Sequence, residues 1–133
     1  MLARMAAHAQ AVYPEECCGI LLGRMEPSGV FVGRVLPCEN AAPAADRRRR
    51  FTIEPQVVLD AIRSLGDGPE QLVGFYHSHP NRDAALSPTD MEFVRLWPET
   101  AWVVIPVLDG APGTPRAWWL SSAEETIEEM RWV

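Results

Sequence analysis

Two turn-forming stretches, EPSG at 26–29 and DGAPGT at 109–114, each separate a pair of short apolar runs. A connection that short joins antiparallel neighbours, because parallel strands need a crossover of about a dozen residues or more. The first turn lies between Cys18 to Gly23 and Val30 to Leu36, the second between AWVVIPV (101–107) and PRAWWL (115–120). LVGFYHSH at 72–79 reads as a further strand. The chain is therefore expected to build a sheet that is largely antiparallel.

Helical periodicity fills much of the remainder. Leu2, Met5, Ala6, Ala9 and Val12 recur at helical spacing until Pro14 ends the pattern. Pro55 opens a second helix with apolar positions Val57, Val58, Ala61, Ile62 and Leu65, closed by Gly66. SPTD at 87–90 starts a third, running through Phe93, Val94 and Leu96. Phe51 to Ile53 is a short extended piece, and ENAAPAADRRRR (39–50) is a loop by composition. The ending SSAEETIEEMRWV stays open between two forms. Ser122 and Glu125 fit a capping box, whereas Met130 and Trp132 alternate as in a strand. The expected architecture is a single α/β domain over residues 1–133, a layered sandwich of mixed, largely antiparallel sheet with helices packed on it.

Composition removes several function classes. A hydrophobic fraction of 47% with 23% charged residues is that of a globular chain. The apolar run Ala101 to Leu108 is far too short for a bilayer span, and the first residues lack a leucine-rich core of a secretory signal. A cytoplasmic protein without membrane association is expected. Net charge is −6, which disfavours non-specific nucleic-acid binding. All the basic residues are arginine, and Arg47 to Arg50 form the one basic run, a solvated loop unless it contacts an anion. Cys17 and Cys18 are adjacent and Cys38 stands apart, so no CxxC pair exists; buried free thiols are expected.

The segment HSHPNRDAALSPTD (77–90) carries the chemistry. On a strand, residues i and i+2 face the same way, so His77 and His79 project together and Ser78 points elsewhere. Pro80 ends the strand and leaves the pair at the rim of the sheet. Ser87-Pro88-Thr89-Asp90 is, by itself, an ordinary helix start with Ser as N-cap. Taken together, two histidines and a helix-start carboxylate make three ligands, the count of a catalytic zinc with one position left for water. Iron held by two His and one carboxylate also fits this set. HExxH, GxSxG and the H-x-E with PCxxC pattern of deaminases are all absent.

The string H-S-H-P, six residues, S-x-x-D resembles the JAMM motif of MPN-plus metallopeptidases. The family's upstream E-x-x-G-x-x-x-G frame is matched by Glu16-Cys17-Cys18-Gly19-Ile20-Leu21-Leu22-Gly23. Asn40 and Arg50-Phe51-Thr52-Ile53 look like the Asn and the RF-x-I strand of the family, and the resemblance spans roughly residues 10 to 120. It implies an MPN-like, cytidine-deaminase-like layered fold and one zinc ion per chain, bound by His77, His79 and Asp90. Glu16 would take a proton from the attacking water and pass it to the leaving amine, with Glu15 as the rival. Ser87 would hydrogen-bond the oxyanion, and Ser78 would support the site from behind.

A chain this short resembles the compact bacterial members. Those imply hydrolysis of an amide bond at the Gly-Gly tail of a ubiquitin-like sulfur-carrier protein, releasing cysteine or trimming C-terminal residues. A thin tail binds as an added strand, and the loop from Asn40 to Arg50 is a candidate wall of its groove. The chain would act as monomer or homodimer. General isopeptidase or small-peptide cleavage is the alternative within the family. A non-catalytic MPN scaffold is the alternative outside catalysis.

Overall fold

The computed structural model describes residues 1–132. In chain order the elements are α1 (Leu2–Val12), β1 (Cys18–Glu26), β2 (Gly29–Cys38), a 3-10 turn (Ala44–Asp46) and α2 (Pro55–Arg63). Then come β3 (Gln71–Pro80), α3 (Pro88–Val94), β4 (Ala101–Leu108), β5 (Ala111–Pro112), β6 (Arg116–Ser121) and β7 (Thr126–Met130). The strands form one sheet in the order β2-β1-β3-β4-β6-β7, with β5 paired to the end of β4. β3 and β4 run parallel, joined across α3, and the other pairings are antiparallel. This is the mixed α/β sandwich expected from the sequence.

Each face of the sheet is covered. On one, Met5 and Ala9 of α1 pack with Leu21, Val35, Tyr76, Val103 and Ile105. On the other, Val58 and Ala61 of α2 and Val94 of α3 pack with Ile20, Phe75, Trp102 and Leu120. Alternation assigns the faces, with one break in β2 at Gly33 and another in β3. The β1 register steps from Gly74 to Leu72 opposite Leu21 and Leu22, so Val73 is an extra residue. Val73 accordingly packs with the α1 face, while Phe75 returns to the other. Gly19 in β1 serves the packing of Tyr76. A Cβ there would stand 2.1 Å from the tyrosine ring, so no larger residue fits unless the ring moves.

Three sequence expectations gain detail. The C-terminal segment is a strand, because the SSAEET stretch makes a turn. Ser122 bonds Glu99 through its backbone N–H and hydroxyl, and Glu125 adopts a left-handed φ of 54°. Phe51 to Ile53 is not a strand of the sheet; it is tied to Asn40 and Ala41 instead. Helix α2 stops at Arg63 rather than running to Gly66, with Ser64 as its C-cap. No described helix is long and apolar enough to cross a membrane.

Candidate metal centre

His77 and His79 stand on alternate positions of β3, facing the side of the sheet that carries α2 and α3. Both are buried. Phe51 stacks on the His77 ring with centroids 4.6 Å apart, and Phe51 in turn meets Phe93 at 5.3 Å. Aromatic packing of this kind contributes about 0.5–1.5 kcal/mol per pair and fixes the plane of the imidazole. His79 is oriented differently, by a 2.7 Å hydrogen bond between its Nδ1 and the Asp83 carbonyl.

Asp90 reaches the pair from the first turn of α3. Ser87 caps that helix, its Oγ accepting from the Asp90 N–H at 3.0 Å, while Asp90 Oδ2 accepts from the Ser87 N–H at 2.9 Å. The same Oδ2 lies 2.9 Å from His79 Nε2 and 3.2 Å from His77 Nε2, and the two Nε2 atoms are 3.1 Å apart. The capping box and the approach to the histidine pair thus meet in Asp90. Burial works to raise the Asp90 carboxyl's pKa, but the neighbouring imidazoles and the Ser87 N–H hold it well below the usual carboxylate range.

The donor chemistry of this cluster fits a metal ion. A carbonyl can only accept, so His79 carries its proton on Nδ1 and turns the lone pair of Nε2 inward. That nitrogen faces a carboxylate oxygen and the Nε2 of His77, three atoms able to act as ligands converging on one point. A cation is what such a point calls for, and Nδ1 bonding to a carbonyl is how metal-binding histidines are usually held. His77, His79 and Asp90 form a buried group with all ligand atoms within 4.8 Å of one another.

Glu16 lies beside the cluster and is fully buried. It precedes β1, which begins at Cys18, so the strand alone does not place it. Its backbone N–H donates to the Arg47 carbonyl at 2.7 Å, and its carbonyl accepts from Asn40 Nδ2 at 3.1 Å. The Cys17–Ser78 pair continues the register of β1 with β3, Cys17 N–H donating to Ser78 Oγ at 2.8 Å and Ser78 N–H to the Cys17 carbonyl at 3.2 Å. That puts Glu16 across from His79. Arg82 donates from Nη2 to Glu16 Oε2, while Oε1 is buried without a hydrogen-bond partner. Burial pushes the Glu16 carboxyl's pKa up, against the lowering pull of His77 and Arg82.

The remaining sequence candidates occupy different settings. Ser87 is half-buried, and its hydroxyl accepts from Asp90 but donates to no group among the described residues. Ser78 points to the α1 side and ties down the Glu16 segment. Asn40 spends its amide on four backbone groups, of Glu16, Ala42, Arg50 and Thr52. Arg50 is an exposed partner of Glu92 at 3.4 Å. Arg82 is the residue that sequence reasoning passed over. An arginine in a polar loop gives no sign of its direction, and only the fold shows that it turns onto Glu16.

Comparison with known proteins agrees with this geometry. Residues 1–121 match the family model described as prokaryotic homologs of the JAB domain. A desampylase of Haloferax volcanii is 36% identical over 68% of the chain, which spans 62% of that relative's length. A probable TtuB-protein conjugate cleaving protease of Thermus thermophilus is 31% identical over 94% of the chain and 75% of its own. A CysO-cysteine peptidase of Mycobacterium tuberculosis is 32% identical over 79% of the chain and 68% of its own. The solution structure of a Desulfitobacterium hafniense protein superposes with a TM-score of 0.79 at 25% identity, covering 97% of this chain and 84% of that one. The chain belongs to the prokaryotic branch of the JAB-domain, or JAMM/MPN, family.

Proposed function

We propose that the chain is a zinc-dependent hydrolase that cuts the amide bond following the Gly-Gly tail of a ubiquitin-like sulfur-carrier protein. The observation that carries this reading is a buried carboxylate with one free oxygen, Glu16 Oε1, beside three ligand atoms that converge on one point. His77, His79 and Asp90 hold the zinc. When bound, it supplies Lewis acidity, bringing the pKa of water down towards about 7. Glu16, kept from bulk water, takes a proton from the attacking water and returns it to the leaving nitrogen. Ser87 offers its unused hydroxyl proton to the developing oxyanion. Ser78 and Asn40 hold the Glu16 segment in register. Arg50, exposed at the end of the 40–50 loop, is assigned to the wall of the tail's groove.

Relatives named for conjugate cleavage and for a carrier–cysteine substrate support this substrate class. The first of these also favours a second reading, isopeptide cleavage of carrier conjugates on lysine. The two separate in one assay. A ubiquitin-like carrier ending in Gly-Gly is presented as its cysteine adduct and as its lysine isopeptide, and products are read by mass spectrometry. Faster release of cysteine by the zinc-loaded protein is expected, with activity lost on chelation. A protein that neither retains zinc nor cuts either substrate would be a scaffold.

A further inference from the structure

We infer that Arg82 is the specificity residue of this site, pairing with the free α-carboxylate of the amino acid that leaves. The inference rests on the hydrolase reading above and narrows its substrate class to amides of α-amino acids.

The reasoning starts from distance. Glu16 delivers a proton to the leaving nitrogen, so that nitrogen comes within hydrogen-bond reach of the carboxylate. Arg82 already touches the same carboxylate through Nη2. In an α-amino acid the carboxylate is joined to the nitrogen through one carbon, which sets its oxygens about 3 Å from it. A guanidinium beside Glu16 is thus within reach of those oxygens. On a lysine isopeptide the leaving nitrogen sits at the end of a four-carbon chain, and no carboxylate lies there.

The arginine has donors to spare. Among the described residues the guanidinium makes a single hydrogen bond, through Nη2. A guanidinium has five N–H groups in a planar fork suited to carboxylates, and its charge is permanent. The side chain is 36% exposed, so incoming substrate can reach it.

The loop that carries Arg82 is fastened on both sides, as a recognition residue needs. Asn81, at a left-handed φ of 56°, donates its N–H to Val107 and accepts from the Asp109 N–H at 2.9 Å. On the far side the Asp83 carbonyl bonds His79, and the Ala84 carbonyl accepts from Trp118 Nε1 at 2.9 Å. Binding therefore orders little that is not already ordered.

The test uses the acetylated peptide Leu-Arg-Gly-Gly-Ala as free acid and as C-terminal carboxamide. kcat/KM is measured with zinc-loaded protein, and binding is measured with metal-free protein. Wild type should prefer the acid about 10- to 100-fold, the worth of a charge-assisted hydrogen bond. Arg82→Met should bring the ratio close to one, and Arg82→Lys, which keeps charge but not the fork, should fall between. Because each ratio is internal to one variant, a general loss of activity cancels. Equal rates on acid and amide in wild type, or a preference surviving in Arg82→Met, would overturn the assignment while leaving the hydrolase reading intact. Where neither peptide is cut, the binding ratio decides. An Arg82-dependent preference there supports the carboxylate pairing and a ratio near one overturns it, while the hydrolase reading is decided separately by the carrier-adduct assay.

Discussion

Glu15 and Glu16 are adjacent acids with different fates. Glu16 is buried with one oxygen free, while Glu15 is only half-buried. On the proposed chemistry Glu16→Gln removes proton acceptance and little else, since Gln is nearly isosteric. Zinc should stay bound, and hydrolysis should fall by about 10²–10⁴. Arg82 would lose its charged partner but can still donate to the Gln carbonyl oxygen. Glu15→Gln should leave turnover within a few-fold of wild type. The two variants are compared by single-substrate kinetics, with zinc content measured on the same samples. Equal losses in both would show that the register from Cys17 to Ser78 does not fix the base.

At the scale of elements, helix α3 combines two tasks in its first turn. Ser87 caps it, and Asp90 completes the capping box with a carboxylate that also reaches the histidine pair. Ser87→Ala separates the tasks. Loss of the cap should cost about 1 kcal/mol of stability, read from denaturant midpoints. Loss of the hydroxyl proton should lower kcat by about 10²–10³ at full zinc occupancy. A variant that is destabilised yet fully active would leave Ser87 with the cap alone. This stretch was legible in the sequence because its rules are local. Strand alternation gives the histidine pair, and helix-start chemistry gives Ser87 and Asp90. What sequence could not give is what depends on the return of distant chain. Glu16 is held by Asn40 and Arg47 from the 40–50 loop, Phe51 braces His77 from the same loop, and Arg82 acquires its direction only from Asn81 being pinned to β4 and the turn after it. The final strand escaped for a similar reason. Its competing cap residue Ser122 is drawn to Glu99, far away in sequence.

For the whole molecule, the centre gathers side chains from three separate parts of the chain. β3 contributes His77 and His79, α3 contributes Asp90, and Glu16 arrives from the segment before β1. His77 Nε2, His79 Nε2 and Asp90 Oδ2 sit buried within hydrogen-bond distance of each other, where a bound cation can take all three as ligands. Metal binding to the folded state should therefore raise global stability by mass action. At zinc one hundred times above Kd the gain is about 2.7 kcal/mol, a rise of several degrees in Tm for a chain of this size. Chelation with EDTA should remove that increment, and re-addition of zinc should restore it. Protons compete for the same ring nitrogens, so the zinc-dependent shift should shrink as pH falls. His79→Ala should unfold at the same temperature with and without zinc, because a second nitrogen ligand is missing. Scanning calorimetry of wild type and variant at matched zinc and pH checks this. A wild-type Tm indifferent to zinc, or a zinc-dependent shift preserved in His79→Ala, would remove the metal from the centre and with it the basis for hydrolysis at this site.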